Sequence, residues 1–260
     1  MQMQAATQGT ATPPKGRAAE CEARSFSVAP TRLLPGNPER VARRSAAERP
    51  QTLQEEALNA VSHGIGFVFA LASWPVLVQF AARHGDIANV VGACVFSLTM
   101  MALYFASAVF HALPEGEAKR RFHRMDHAAI YLFMAGSYTP FALGPLQRGE
   151  GWTLLGAVWT LALVGMLLKL ANRLRHRLWS TALYMAMGWI ALLAALPMLQ
   201  RLATEGLVLI VAGGVAYTVG VVFFLLDERV RYSHFVWHLF VLVGSACHFF
   251  AALNQSAGVV

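Results

Sequence analysis

The sequence predicts an all-α membrane protein, a seven-transmembrane helix bundle with its N-terminus in the cytoplasm and its C-terminus outside. Three observations carry that expectation. The chain is 56% hydrophobic and only 13% charged, whereas a soluble domain is about a quarter charged. Beyond the first 50 or so residues it breaks into apolar runs of membrane-crossing length, roughly 20 residues each. Lys and Arg also concentrate in alternate connections between those runs.

Residues 1–50 form a separate region, expected to be a disordered basic cytoplasmic tail. They are rich in Ala, Pro, Arg, Gln and Thr, and eight Lys/Arg face four Glu, with no apolar run long enough to bury. No short apolar core with a small-residue cleavage site marks a secretory signal. Residues 51–260 form the transmembrane domain. It opens on "QTLQEEALNAVSHG", in which Leu53, Ala57, Leu58 and Val61 share one stripe opposite Glu55 and Glu56. That pattern suits a short helix lying at the interface.

The spans are expected near 61–82, 87–111, 127–146, 152–171, 181–199, 206–226 and 235–253. Short polar links such as "RHGD" and "QRGEG" separate them, so successive helices run antiparallel as neighbours. Pro75, Pro140 and Pro197 fall inside spans and are expected kinks, and Gly136 suits close helix packing. The second, fourth and sixth connections carry ten Lys/Arg, from Lys119 to Arg231. The first, third and fifth carry only Arg83, Arg148 and Arg201. The excess, together with the basic tail, puts the N-terminus inside. The net charge of +7 is thereby read as topology and lipid-headgroup contact, with no nucleic-acid partner. Cys21, Cys94 and Cys247 stand far apart and imply no disulfide framework. The expected location is the cell membrane, multi-pass. Gly213 and Gly214 suit close helix contacts, but the oligomeric state is not legible.

Topology gathers the ionisable residues. His111 closes the second span, Asp126 opens the third, and His234 and His238 in "SHFVWHLF" open the seventh, all at the cytoplasmic face. His234 and His238 are four apart, about 6 Å on one helix face, and Ser107 and His111 repeat that spacing. Three imidazoles with an open fourth position, completed by water, make a catalytic-type zinc site. His111, His234 and His238 are therefore candidate Zn2+ ligands. Asp126 is placed to bind or deprotonate the water and Ser107 to orient it. The bland alternative is interfacial histidines touching headgroups or neighbouring carbonyls, though ionisable residues within membrane helices usually face a functional interior.

The other histidines are read differently. His248, ten residues past His238, lies about 15 Å along the helix and is expected to be a packing residue. His127 projects away from Asp126 and suits a supporting role. His63 at the head of the first span is a weaker candidate for one. His84, His123 and His176 fall in loops and are expected to be solvated.

Three blocks together, "EEALNAVSHGIGFVFAL", "SAVFHALPEGEAKRRFHRMDHAAIYLFMAGSYTPFAL" and "SHFVWHLFVLVGSACHFFAAL", resemble the hemolysin III family. That is the bacterial branch of the progestin and adipoQ receptor superfamily, itself related to the alkaline ceramidases. The resemblance covers about residues 55–253. It implies a seven-helix bundle, zinc on His111, His234 and His238, and roles for Asp126 and Ser107. It also implies three functions: zinc-dependent hydrolysis of a membrane-lipid amide or ester, pore-forming cytolysis with structural zinc, or receptor-like sensing. The basic tail is the main departure from the family.

Overall fold

A computed structural model describes residues 49–146, 149–174, 176–190 and 200–256. Among them are seven helices: α1 (Leu53–His84), α2 (Ile87–Ala112), α3 (Glu117–Leu143), α4 (Glu150–Leu170), α5 (Arg177–Trp189), α6 (Thr204–Leu226) and α7 (Ser233–Ser256). Five of them, α1, α2, α4, α6 and α7, are long and apolar enough to cross a membrane. The chain is thus a multi-pass, all-helical membrane protein. The tail expected over residues 1–50 lies outside the described residues except for Arg49 and Pro50, and so does the 191–199 part of the expected span 181–199, with Pro197.

The surface is apolar and much of the interior is polar. On α1, Val61, Ile65, Val68 and Leu71 are exposed while Asn59, Ser62 and His63 are buried. On α6, Val208, Val211, Val215 and Val222 are likewise exposed. Such a shell would be unstable in water and suits hydrocarbon, where the interior must satisfy the polar groups instead.

Each helix packs on its chain neighbours, and α1 also packs along α7, which brings the first and last helices together. Small residues allow this. A Cβ on Gly136 in α3 would strike Thr99 Oγ1 in α2, and one on Gly92 would come within 2.9 Å of Pro140 Cα. Gly213 in α6 faces His248 of α7, whereas Gly214 has open space beside it.

Two elements, α1 and α3, begin more than two turns earlier than the sequence suggests. The amphipathic stretch before the first span is not a separate interfacial helix. It is the first turns of α1, which runs unbroken for 32 residues through Pro75. Thr52 caps it reciprocally with Glu55, so the start is fixed by a capping box. Glu55 is turned inward, where it also pairs with Arg49 and accepts the Tyr232 N–H at 2.8 Å. The inside-out polarity explains the reversal: the Leu53–Val61 stripe faces outward and the acidic side faces in. Helix α3 likewise starts at Glu117, so Asp126 sits in its third turn and does not open it. "EAKRRFHRM" is charged enough to read as a loop, but Lys119 folds inward beneath the Phe110 ring, 5.0 Å from its centroid.

Candidate metal centre

Two helices supply the three candidate ligands. His111 lies on the last turn of α2, and His234 and His238 on the first two turns of α7. One ligand atom from each ring lies within 4.8 Å of the other two. The sequence placed these three histidines in one layer, and the structure brings them into one cluster. His111 and His238 are almost fully buried, His234 partly.

The start of α7 is tightly held. Tyr232 adopts a positive φ of 59°, a conformation costing a bulky residue about 1 kcal/mol or more. Its N–H is tied to Glu55, and the Ser233 hydroxyl donates to the Phe223 carbonyl at 2.7 Å. The turn thus aims His234 and His238 inward.

Each ring is held through Nδ1. His111 Nδ1 donates to Glu56 Oε2 at 2.7 Å, and His234 Nδ1 donates to Asp227 Oδ2 at 2.8 Å. His238 Nδ1 lies 3.2 Å from the Asn59 carbonyl and 3.0 Å from Ser62 Oγ. A carboxylate or carbonyl partner requires the proton on Nδ1, which leaves the Nε2 lone pair of each ring free. Metal-binding histidines are oriented in this way by outer partners. The buried His111 Nε2 has no hydrogen-bond partner. An orphaned acceptor among three such rings fits a cation, so the residues present suit a metal ion.

The outer partners are themselves anchored. Glu56 Oε1 pairs with Lys119 at 3.0 Å, and Lys119 also donates to the carbonyls of Phe110 and Leu113. Asp227 pairs with Arg177 at 2.6 Å, while Arg177 also reaches Glu228 at 2.7 Å and the Phe224 carbonyl. Burial would push the Asp227 carboxyl up, but the bonds from His234 and Arg177 prevail and hold it below its usual value.

Ser107 and Asp126 lie beside the cluster. Ser107 Oγ is 2.6 Å from His63 Nδ1, and Ser107 and Asp126 both line one apolar cavity. The His63 ring stacks on His238 with centroids 3.5 Å apart. His63, a weaker candidate in the sequence, is therefore part of the centre. His127 Nδ1 bonds the His123 carbonyl at 2.9 Å and stands 3.7 Å from Asp126. His248 packs against Tyr217 and bonds its own helix at Gly244, so its cross-helix contact is made by the ring face. His84, His123 and His176 are exposed.

Sequence reasoning missed Glu56, Asn59, Ser62 and Asp227. The first three share a signal: Glu56, Asn59 and Ser62 recur every three residues along α1, with His63 beside them, a polar stripe on an otherwise apolar helix.

Two cavities meet here. A polar one of about 830 Å³ is lined by His111, Lys119, His123, Lys169, Asp227 and His234, among others. An apolar one of about 410 Å³ runs between α3, α5, α6 and α7 and reaches Ser107, Asp126, His234 and His238. His127, Tyr184, Phe224 and His234 line both.

Comparison with known proteins places this arrangement in context. A family model described as "Haemolysin-III related" matches residues 51–249. The chain is 40% identical over 203 residues to "Hemolysin-3" of Bacillus cereus, covering 78% of this chain and 92% of that protein. It is 39% identical to the "Hemolysin-3 homolog" of Bacillus subtilis over 78% and 94% of the two chains. It is 30% identical to the human "Monocyte to macrophage differentiation factor" over 77% and 84%. No solved structure matches.

Proposed function

The chain belongs to the haemolysin III-related family, and on that premise we propose that it is a zinc-dependent hydrolase of a membrane-lipid amide or ester. The bundle has seven spans, with the N-terminus and the metal centre on the cytoplasmic side of the cell membrane. The single observation that carries this reading is the cluster of three Nδ1-anchored histidines at the junction of a polar and an apolar cavity.

His111, His234 and His238 would hold the zinc through Nε2. The ion, when bound, would supply Lewis acidity that acidifies a water and polarises a carbonyl. The protein's own groups do the rest. Glu56, Asp227 and the Asn59 carbonyl fix the rings, so no ligand must reorganise during turnover. Asp126, beside Ser107 at the cavity wall, accepts the proton released by the attacking water. Ser107, held by His63, shares the cavity wall with Asp126 and orients the water beside that carboxylate. The apolar cavity takes an acyl chain and excludes bulk water, while the polar cavity takes the headgroup.

Asp126→Asn tests the assignment on purified protein assayed against a panel of lipid amides and esters. Retained zinc with turnover reduced at least ~100-fold, the scale of general-base catalysis, supports the role. Full turnover with zinc retained removes Asp126 from it. A second reading, membrane perturbation with structural zinc, rests on the names of the two Bacillus relatives. Dye release from liposomes that persists in Asp126→Asn favours that reading over hydrolysis.

A further inference from the structure

We propose that the lipid taken here carries an anionic polar group, held in the polar cavity by Lys169 with Arg124 and Arg120 around it. This deepens the hydrolase reading by naming the substrate class, and it rests on that reading for the reaction alone.

The charge balance of the polar cavity is the first observation. Six Lys/Arg and four Asp/Glu line it. Lys119 is paired with Glu56, and Arg177 with Asp227 and Glu228; Arg49 is paired with Glu55, outside the lining. Among the described residues, Arg120, Arg124 and Lys169 make no ion pair, and the acid left over is the exposed Glu115. A cationic surplus thus faces the space beside the histidines.

Lys169 is the second observation. It is only 9% exposed, at the last turn of α4. Its ammonium donates to the Leu174 carbonyl and to Ser180 Oγ, both at a long 3.4 Å. Neither partner is charged, and Asp126 is beyond ion-pair distance. A buried ammonium without an anion is strongly disfavoured. Burying it at the wall of a cavity that opens to the metal centre makes sense when an anion arrives there. Its position at a helix C-terminus gives it some support from the helix dipole, and a purely structural lysine would need nothing more. The two roles differ in what they expect of ligand charge.

The third observation is continuity with the apolar cavity. Its 410 Å³ lies in the range of small-molecule sites, and Trp237 is on its wall. A single chain in that cavity and an anionic group near Lys169 would place the intervening carbonyl beside His234, which lines both spaces. Phosphate and carboxylate share the chemistry required, anionic oxygens accepting charge-assisted bonds.

The test uses full-length protein in uncharged detergent and reads binding, so it does not depend on turnover. The probe is a lysophosphatidic acid with a dibrominated chain, which quenches Trp237 and Trp189 on the wall when the chain enters the cavity. The uncharged monoacylglycerol with the same chain is the comparison, and Trp237→Phe verifies the signal. We expect the phosphate lipid to bind about 10-fold more tightly or better. Lys169→Gln should erase the preference and Lys169→Arg should keep most of it. Arg124→Gln, at a half-buried rim position, should reduce it even if Lys169→Gln fails to fold. Equal Kd for the two lipids, or an undiminished preference in Lys169→Gln, overturns the proposal. If inorganic phosphate binds as tightly as the lipid does, the site is for free phosphate and the lipid assignment falls. A hydrolase indifferent to headgroup charge would fail here and keep its turnover; an inert protein could still show the preference.

Discussion

Replacing Glu56 with Ala isolates the outer support of the metal centre from its ligands. Glu56 touches no metal, but its carboxylate holds His111 Nδ1 at 2.7 Å and Lys119 at 3.0 Å. Removing it frees the His111 ring to rotate and lets the proton move to either nitrogen. Loss of such a partner usually weakens metal affinity about 10–100-fold, equivalent to about 1.4–2.7 kcal/mol. The upper half of that range is expected here, because Lys119 is also left buried without its carboxylate, beside an imidazole that should bind a cation. Glu56→Gln keeps an acceptor for Nδ1 and should lose less than Glu56→Ala. Competition with a chelator of known zinc affinity, on detergent-purified protein, measures all three constants. An unchanged zinc Kd in Glu56→Ala would refute the argument that this carboxylate fixes the ligand.

Arg177→Ala should weaken zinc less than Glu56→Ala does, because Asp227 keeps its bond to His234, and the same chelator competition ranks them. Asp227 is held below its usual carboxylate range, so its contribution to stability is present above the unfolded value of 3.8 and is lost as pH falls through the lower folded value. Metal-free wild type should therefore lose thermal stability below about pH 4 more steeply than Asp227→Asn, which scanning fluorimetry against pH will show. Gly136→Ala puts a methyl against Thr99 Oγ1 and should lower stability by about 1–3 kcal/mol, read as a lower melting temperature with zinc stoichiometry retained.

The ligands were legible because two constraints acted together. The four-residue spacing put His234 and His238 on one face, and alternating loop charge put His111 at their depth. The outer partners were harder to see for physical reasons. Asp227 lies in "DERVRY", where a carboxylate among Arg residues reads as a solvated turn; only the fold shows that Arg177, fifty residues away, turns it toward His234. Glu56 was assigned to the polar side of an interfacial helix, which is correct for its stripe and wrong for its surroundings. In a membrane bundle the polar side is the interior. His63 is a weaker candidate in the sequence because topology gives only its depth; its bond to Ser107 depends on the approach of α1 to α2, which no spacing encodes. The helix boundaries erred at α3 because Lys119 is buried by pairing, so a charged segment that looked like a connection became a helical turn.

Metal analysis of the purified full-length protein, alongside His238→Ala and His111→Ala, tests the central claim most directly. The account expects about one zinc per chain in the wild type and a substoichiometric amount in each variant, with the helical content unchanged. Equal metal in all three, well below one ion per chain, would contradict it.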